Sequence, residues 1–445
     1  MDPASDQMKP SKPLKILTLD GGGLQAISTL LILNQLLETI GKQNGVPYRK
    51  PRPCDVFDTI AGIGAGGWLA ILLGRFRMDI TSCLSEWYKI TECIAPRSKS
   101  EELRLRLLQH CYFDTDRLVD QVDNLTQVYN TGDCLFEHDP EGARTRHVFV
   151  AALKSDAKGY KLFRTYKIPK SAKLPKKLLE GPENPDSFKI SRAFGVTGAA
   201  RYFTPPWKER MASSGKTRFS DTKFPKPHNI TELALDEMWG IYGTDVPLSV
   251  VVNIGPGLPN DVDVQQIARR FSWGSKINVG PTAVSEVRVN LAAIKEKDQS
   301  KRKSFSVPQS KDVEPDAKGL LVNFHGATIR GDSISDPVAD GERRHLMSRT
   351  NTFGSIKDRG IDSKLRRLED DIESDIKKKL KNIYPSGPLL YYRLAPTKAP
   401  QGAPQNDSSA SGVVFDATIS YLNKPHVETT IDEVARRMPE VASMA

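Results

Sequence analysis

A run of small residues, Gly62-Ile63-Gly64-Ala65-Gly66-Gly67, separates an apolar stretch from Trp68-Leu69-Ala70-Ile71-Leu72-Leu73, which opens a helix that Gly74 closes. The order reads as strand, sharp turn, helix. That is the setting in which G-x-S-x-G lifts a serine nucleophile over a helix N-terminus. Here the apex residue is Gly64, which has no side chain. The turn therefore has the setting of a nucleophile without the nucleophile. Ser28 and Thr29 fall in the first helix and do not replace it. Losing such a serine costs on the order of a millionfold in kcat, because positioning and an oxyanion hole alone remain.

Upstream, Asp20-Gly21-Gly22-Gly23 turns an apolar run directly into a helix with Ile27, Leu30, Leu31, Leu33, Leu36, Leu37 and Ile40 on its apolar face. Three glycines in such a turn let backbone N–H groups approach a negative charge. A dinucleotide site wants G-x-G-x-x-G, and Gly21-Gly22-Gly23-Leu24-Gln25-Ala26 lacks the third glycine. A phosphate-binding loop wants a G-K-[ST] ending, which is absent. An oxyanion hole fits best, because the next strand–turn–helix unit supplies the elbow. The candidate site is therefore Gly21, Gly22 and Gly23 for an anion, with Gly64 at the nucleophile position.

Such turns need a parallel sheet beneath them. Apolar runs at 14–19, 56–61 and 248–254 each lead into glycine, as βα units do. Strands are also expected at 147–153, 160–166, 218–221 and 389–394, and helices at 188–200, 231–238 and 430–438. Helical segments studded with charge run from 78 to 128, with Ser98-Lys99-Ser100-Glu101 as a capping box. Leu365, Leu368, Ile372, Ile376, Leu380 and Ile383 recur every three or four residues and predict an amphipathic helix over 363–383. Residues 1–13 read as a disordered leader and 426–445 as a C-terminal tail. Between them, 14–425 reads as one α/β domain carrying a polar insertion at 295–318 and a low-complexity loop at 398–412.

The chain has 445 residues, 38% apolar and 27% charged, enough to bury a large core. No apolar stretch approaches the roughly 18 residues that span a bilayer, and the N-terminus lacks a signal-peptide pattern. These features predict a cytoplasmic protein. The five cysteines and seven histidines show no metal-ligand spacing, so neither a metal nor a cofactor is expected. Net charge is +10 with the two signs interspersed, except over 161–177. There Lys161, Arg164, Lys167, Lys170, Lys173, Lys176 and Lys177 meet no acid. Two readings stay open for that stretch, peripheral contact with an anionic membrane and a merely solvated loop. No nucleic-acid motif is visible.

Taken in order, these segments resemble the patatin-like phospholipases. Asp20-Gly21-Gly22-Gly23 resembles their D-G-G-G-x-R-G motif, and the stretch from Cys54 to Leu73 is similar to their F-D-x-I-x-G-T-S-T-G-G elbow and helix. Ala193-Phe194-Gly195-Val196-Thr197-Gly198-Ala199-Ala200 resembles A-x-R-A-T-S-A-A, Phe219-Ser220-Asp221 resembles F-x-D-G-G/A, and Asn253-Ile254-Gly255-Pro256-Gly257 resembles S-I-G-T-G. The resemblance runs from about 14 to 257, with a weaker tail. It implies a three-layer α/β/α sandwich that hydrolyses lipid acyl esters with a Ser–Asp dyad, the glycine turn holding the oxyanion.

The departures fall on that chemistry. Gly64 stands at the serine, Ile63 and Ala65 at its flanking threonines, Gln25 at the arginine, and Thr222 and Lys223 after the dyad aspartate Asp221. Gly195 stands at the arginine of the A-x-R-A-T-S-A-A segment. The expected protein is a patatin-like lipid- or acyl-binding pseudoenzyme, with Asp221 as the remnant of the dyad. The alternatives are an active acyl hydrolase with a non-standard nucleophile and an enzyme of different chemistry reusing the cleft.

Overall fold

The computed structural model describes residues 10, 12–45, 50–105, 111–135, 145–154, 160–175, 178–179, 187–200, 204, 207–211, 215–220, 229–257, 355–396 and 411–438. The chain divides into one compact unit, Met1–Trp273 with Ile361–Ala445, and a second, Gly274–Gly360. Of the second unit only residues 355–360 are described, and the sheet belongs to the first. The expected leader (apart from Pro10, Lys12 and Pro13), the insertion at 295–318, most of the loop at 398–412 and Asp221 lie outside the described residues.

The chain begins with β1 (Leu14–Leu19), a short 3-10 turn (Gly23–Ala26) and α1 (Ile27–Gln43). A helical turn, α2 (Pro53–Val56), precedes β2 (Thr59–Ile63), and α3 (Ala65–Ala70) follows it. Then come α4 (Ile80–Ile94), α5 (Lys99–Arg104) and α6 (Thr115–Val128). Strands β3 (His147–Lys154), β4 (Tyr160–Arg164) and β5 (Leu178–Leu179) lead to α7 (Ile190–Thr197). A hairpin of β6 (Trp207–Met211) and β7 (Gly215–Ser220) precedes α8 (Thr231–Tyr242) and β8 (Leu248–Ile254). The described chain ends with α9 (Ser355–Ile383), β9 (Tyr391–Leu394), α10 (Ser411–Leu422) and α11 (Pro425–Arg436).

The sheet has the order β5-β4-β3-β2-β1-β8-β9, with the β6–β7 hairpin joined to β3. Strands β3, β2, β1, β8 and β9 are parallel, and β4 and β7 run antiparallel to β3. Alternate residues feed two cores, as a pleated sheet covered on both faces requires. Leu17, Leu19, Ile60 and Val150 join α1, α3, α4, α6, α7, α10 and α11 on one face. Leu14, Ile16, Ala61, Ile63, Phe149 and Ala151 join α8 and the apolar stripe of α9, Ile376 and Leu380, on the other. The three-layer α/β/α sandwich is the observed architecture.

Several boundaries differ from the sequence reading. The apolar run at 56–61 is not one strand. Pro53 opens a helical turn after the extended Arg52, and the strand begins only at Thr59. Asp58 makes the transition by accepting the Lys15 N–H at 2.8 Å. Gly74 does not close the elbow helix, which widens into a π turn over Ile71–Arg75. A Cβ at Gly74 would fall 2.5 Å from Val148 Cγ2, so the glycine serves helix–sheet approach. The segment 426–445 set apart as a tail carries all of α11 but its first residue, and Val427, Ile431, Val434 and Ala435 of that helix are buried in the core shared with α1. The end of the low-complexity stretch at 398–412 overlaps the start of α10, a helix absent from the sequence reading.

Candidate functional site

Parallel pairing brings the two glycine-rich turns together. Leu19 pairs with Gly62, so Asp20-Gly21-Gly22-Gly23 and Ile63-Gly64 leave the sheet side by side at its C-terminal edge. Contact between them is close. A Cβ at Gly66 would lie 2.2 Å from Leu19 O and 2.4 Å from Asp20 O, and one at Gly62 would lie 2.1 Å from Gly66 O. The third strand end also meets the turn, because a Cβ at Gly22 would strike Pro256 Cγ at 2.1 Å.

Gly64 has φ 59° and ψ −132°. That backbone lies in the left-handed half of φ/ψ space, which L side chains rarely adopt and glycine adopts freely. Its carbonyl accepts from Gly67 N–H at 2.9 Å and Trp68 N–H at 3.2 Å, starting α3. Its own N–H donates to Thr197 Oγ1 at 3.1 Å, and that hydroxyl donates to Ala151 O at 2.8 Å. Gly23, at φ 58°, makes the corresponding reversal in the other turn.

Helix α7 is the support behind the elbow. Trp68 Nε1 donates to Phe194 O at 2.9 Å, and the indole stacks on the Phe194 ring with centroids 5.8 Å apart. A Cβ at Gly198 would fall 2.5 Å from Trp68 Nε1, and one at Gly195 only 2.3 Å from the Trp207 ring. Glycine at 195, where the resemblance implies arginine, thus gives Trp207 its place against α7. Gln25, at the other arginine position, is buried.

Beneath the glycine turn lies a charged network that sequence reasoning missed. Asp20 Oδ1 accepts from Asn253 Nδ2 at 2.8 Å, and Oδ2 accepts from Arg393 Nη1 at 2.7 Å. Arg393 Nη1 also donates to Asn253 Oδ1, and Nη2 reaches Glu369 on α9 at 3.2 Å. Burial alone would lower the Arg393 pKa, but Asp20 and Glu369 outweigh it and hold the guanidinium charged. Burial raises the Glu369 pKa, against the pull of Arg393. The one signal in the sequence is a charge inside the apolar run 389–394. Nothing local shows that its partner stands at position 20.

Of the residues singled out from sequence, the structure brings Gly21, Gly22, Gly23 and Gly64 to one edge. Asp221 lies outside the described residues, and the strand leading to it ends at Ser220, paired with Leu153. The basic stretch is divided. Arg164 is buried in a bidentate pair with Glu237, at 2.6 and 2.8 Å, with Tyr166 Oη donating to the same carboxylate. Lys167, Lys170 and Lys173 are exposed, and Lys176 and Lys177 are not described. Among the described residues, no group of His, Cys, Asp and Glu could hold a metal ion, and no helix is long and apolar enough to cross a membrane.

A parallel sheet between two helical layers, with an elbow and a glycine turn at one edge, defines a three-layer α/β/α sandwich domain. Residues 17–188 match the family profile described as "Patatin-like phospholipase". Over 76 residues the chain is 41% identical to "Patatin-like phospholipase 1" of Plasmodium falciparum (isolate NF54), which is 17% of this chain and 11% of that protein. Over 80 residues it is 40% identical to "Phospholipase A I" of Arabidopsis thaliana, 18% of this chain and 5% of that one. The chain therefore spans only a small part of these relatives. Among solved structures, VipD from Legionella pneumophila aligns with 62% of this chain and 59% of its own at 12% identity, with a TM-score of 0.28, too slight a likeness to argue from.

Proposed function

We propose that this chain is an acyl-binding protein of the lipid acyl hydrolase lineage that no longer hydrolyses esters. The observation that carries the reading is the elbow itself. Its apex keeps the reversed backbone of a nucleophile turn beside the glycine turn, and the apex residue is Gly64. Glycine forms no acyl-enzyme. The Thr197 hydroxyl is engaged by Ala151 and Gly64, the Ser28 hydroxyl accepts from Thr418, and both Asp20 oxygens are taken. The ligand proposed is a carboxylate or acyl chain whose oxygen meets the turn Gly21, Gly22 and Gly23, with Asp221 as a remnant of the dyad. We place the protein in the cytoplasm, in keeping with five free cysteines. Peripheral contact with anionic membrane is proposed through Lys167, Lys170 and Lys173.

The test is hydrolysis of p-nitrophenyl butyrate and of phospholipid vesicles by the purified protein, with Gly64→Ser beside it. The unmodified protein should stay at background while binding oleate in a calorimeter, and Gly64→Ser should gain turnover. Robust turnover by the unmodified protein would overturn the reading and point to another nucleophile.

A further inference from the structure

The residue that holds the elbow in shape lies on another helix. We propose that Thr197 is the positioning residue of the elbow, imposing its reversed backbone whatever side chain stands at position 64. The hydroxyl is buried and both its roles are fixed. It gives its proton to Ala151 O at 2.8 Å, so a lone pair must face the Gly64 N–H, 3.1 Å away. Ala151 pairs with Ile63 in the sheet, so the hydroxyl ties the apex to the strand beside it. On the far side of the apex peptide, the Gly64 carbonyl is held by the N–H groups of Gly67 and Trp68. Both flanking peptide groups are therefore oriented by partners outside residue 64. Packing adds to this, since a Cβ at Gly67 would fall 2.6 Å from Thr197 Oγ1. A turn set by its own glycine would need no such clamp.

The assignment concerns the same elbow as the proposed function, but stability rather than turnover tests it, so either can fail alone. If Thr197 imposes the reversed backbone, an alanine at position 64 is forced into it. Strain of this kind lowers the folding equilibrium constant by about 5- to 150-fold. The experiment is a double-mutant cycle read by urea denaturation of the full chain. Gly64→Ala alone should cost about tenfold or more. In the Thr197→Val background, where the turn can relax, the same change should cost at most about threefold. In the Thr197→Ser background, which keeps the hydroxyl, the full penalty should return. Equal penalties in all three backgrounds would overturn the proposal. Should Thr197→Val fail to fold, amide exchange on the unmodified protein decides the matter. A Gly64 amide exchanging as slowly as the core of β2 supports the clamp, and one exchanging like an open turn overturns it.

Discussion

A single buried imidazole sets part of the protein's response to acid. His147 opens β3, is 2% exposed, and meets Tyr166 and Tyr242 edge-on with ring centroids 4.6 and 5.6 Å away. Its Nε2 lies 3.1 Å from the Tyr242 hydroxyl. Burial, with Arg146 adding to it, pushes the pKa down to about 4. The unfolded chain, with an ordinary histidine near 6.5, then takes up the proton more readily than the folded one. Stability from this residue is whole above about pH 6.5 and is lost as pH falls toward 4. Between pH 7 and pH 5 the loss should come to about 2 kcal/mol. Urea denaturation at the two pH values, with His147→Phe alongside, measures it. The variant should start less stable for want of the Tyr242 bond but lose about 2 kcal/mol less on acidification. An unchanged acid loss would assign the effect to other groups.

Among the elements, β9 and α9 reach the candidate site through one guanidinium. Arg393→Met would take from the Asp20 carboxylate, buried under the glycine turn, the guanidinium that pairs with it at 2.7 Å. Breaking a buried pair in this way costs about 3–5 kcal/mol. Denaturant midpoints should show that loss, and Asp20→Asn combined with Arg393→Met should be more stable than Arg393→Met alone, because the stranded charge is gone. A double variant no better than the single would mean that Arg393 matters for packing and not for charge. This network also shows where sequence reading stops. The sandwich and the meeting of Gly64 with the glycine turn are legible, because each turn announces itself within a few residues and parallel order then fixes the neighbours. Gly195 reads in sequence as a lost arginine, whereas in the fold Trp207 occupies its space. Thr197 and Arg393 act across 133 and 373 positions, and no local pattern records such distances. Helix α10 escapes sequence reading because its residues are apolar on nearly all sides, so that no periodic stripe marks it.

For the molecule as a whole, the loop carrying Lys167, Lys170 and Lys173 leaves the sheet at the edge opposite the elbow, whereas Lys161 pairs with Ala152 at the elbow's own edge. The elbow follows the last residue of β2, whereas Thr165, just after β4, donates to Val148 near the start of β3. The length of β2 alone separates these edges by roughly 16 Å. The exposed Lys173 leads on through its N–H to Gly240 O at 2.7 Å, and Lys379 of α9 lies over the Trp239 ring at 5.1 Å. The last turns of α9, with exposed Lys377, Lys378 and Lys381, therefore flank the same end of α8 as the basic loop. A membrane docked here would face away from the glycine turn. That geometry suits a protein that carries or senses an acyl ligand, and it does not suit a lipase working on the bilayer that it touches. Vesicles rich in phosphatidylserine should bind at low ionic strength, and the Lys167→Ala, Lys170→Ala, Lys173→Ala triple variant should bind about a hundredfold more weakly, at about 1 kcal/mol per lysine. Oleate binding should not change in that variant, because the site proposed for it lies at the other edge. Vesicle binding that ignores the three lysines would make them an ordinary solvated loop. A parallel loss of oleate binding would mean that the two edges are coupled.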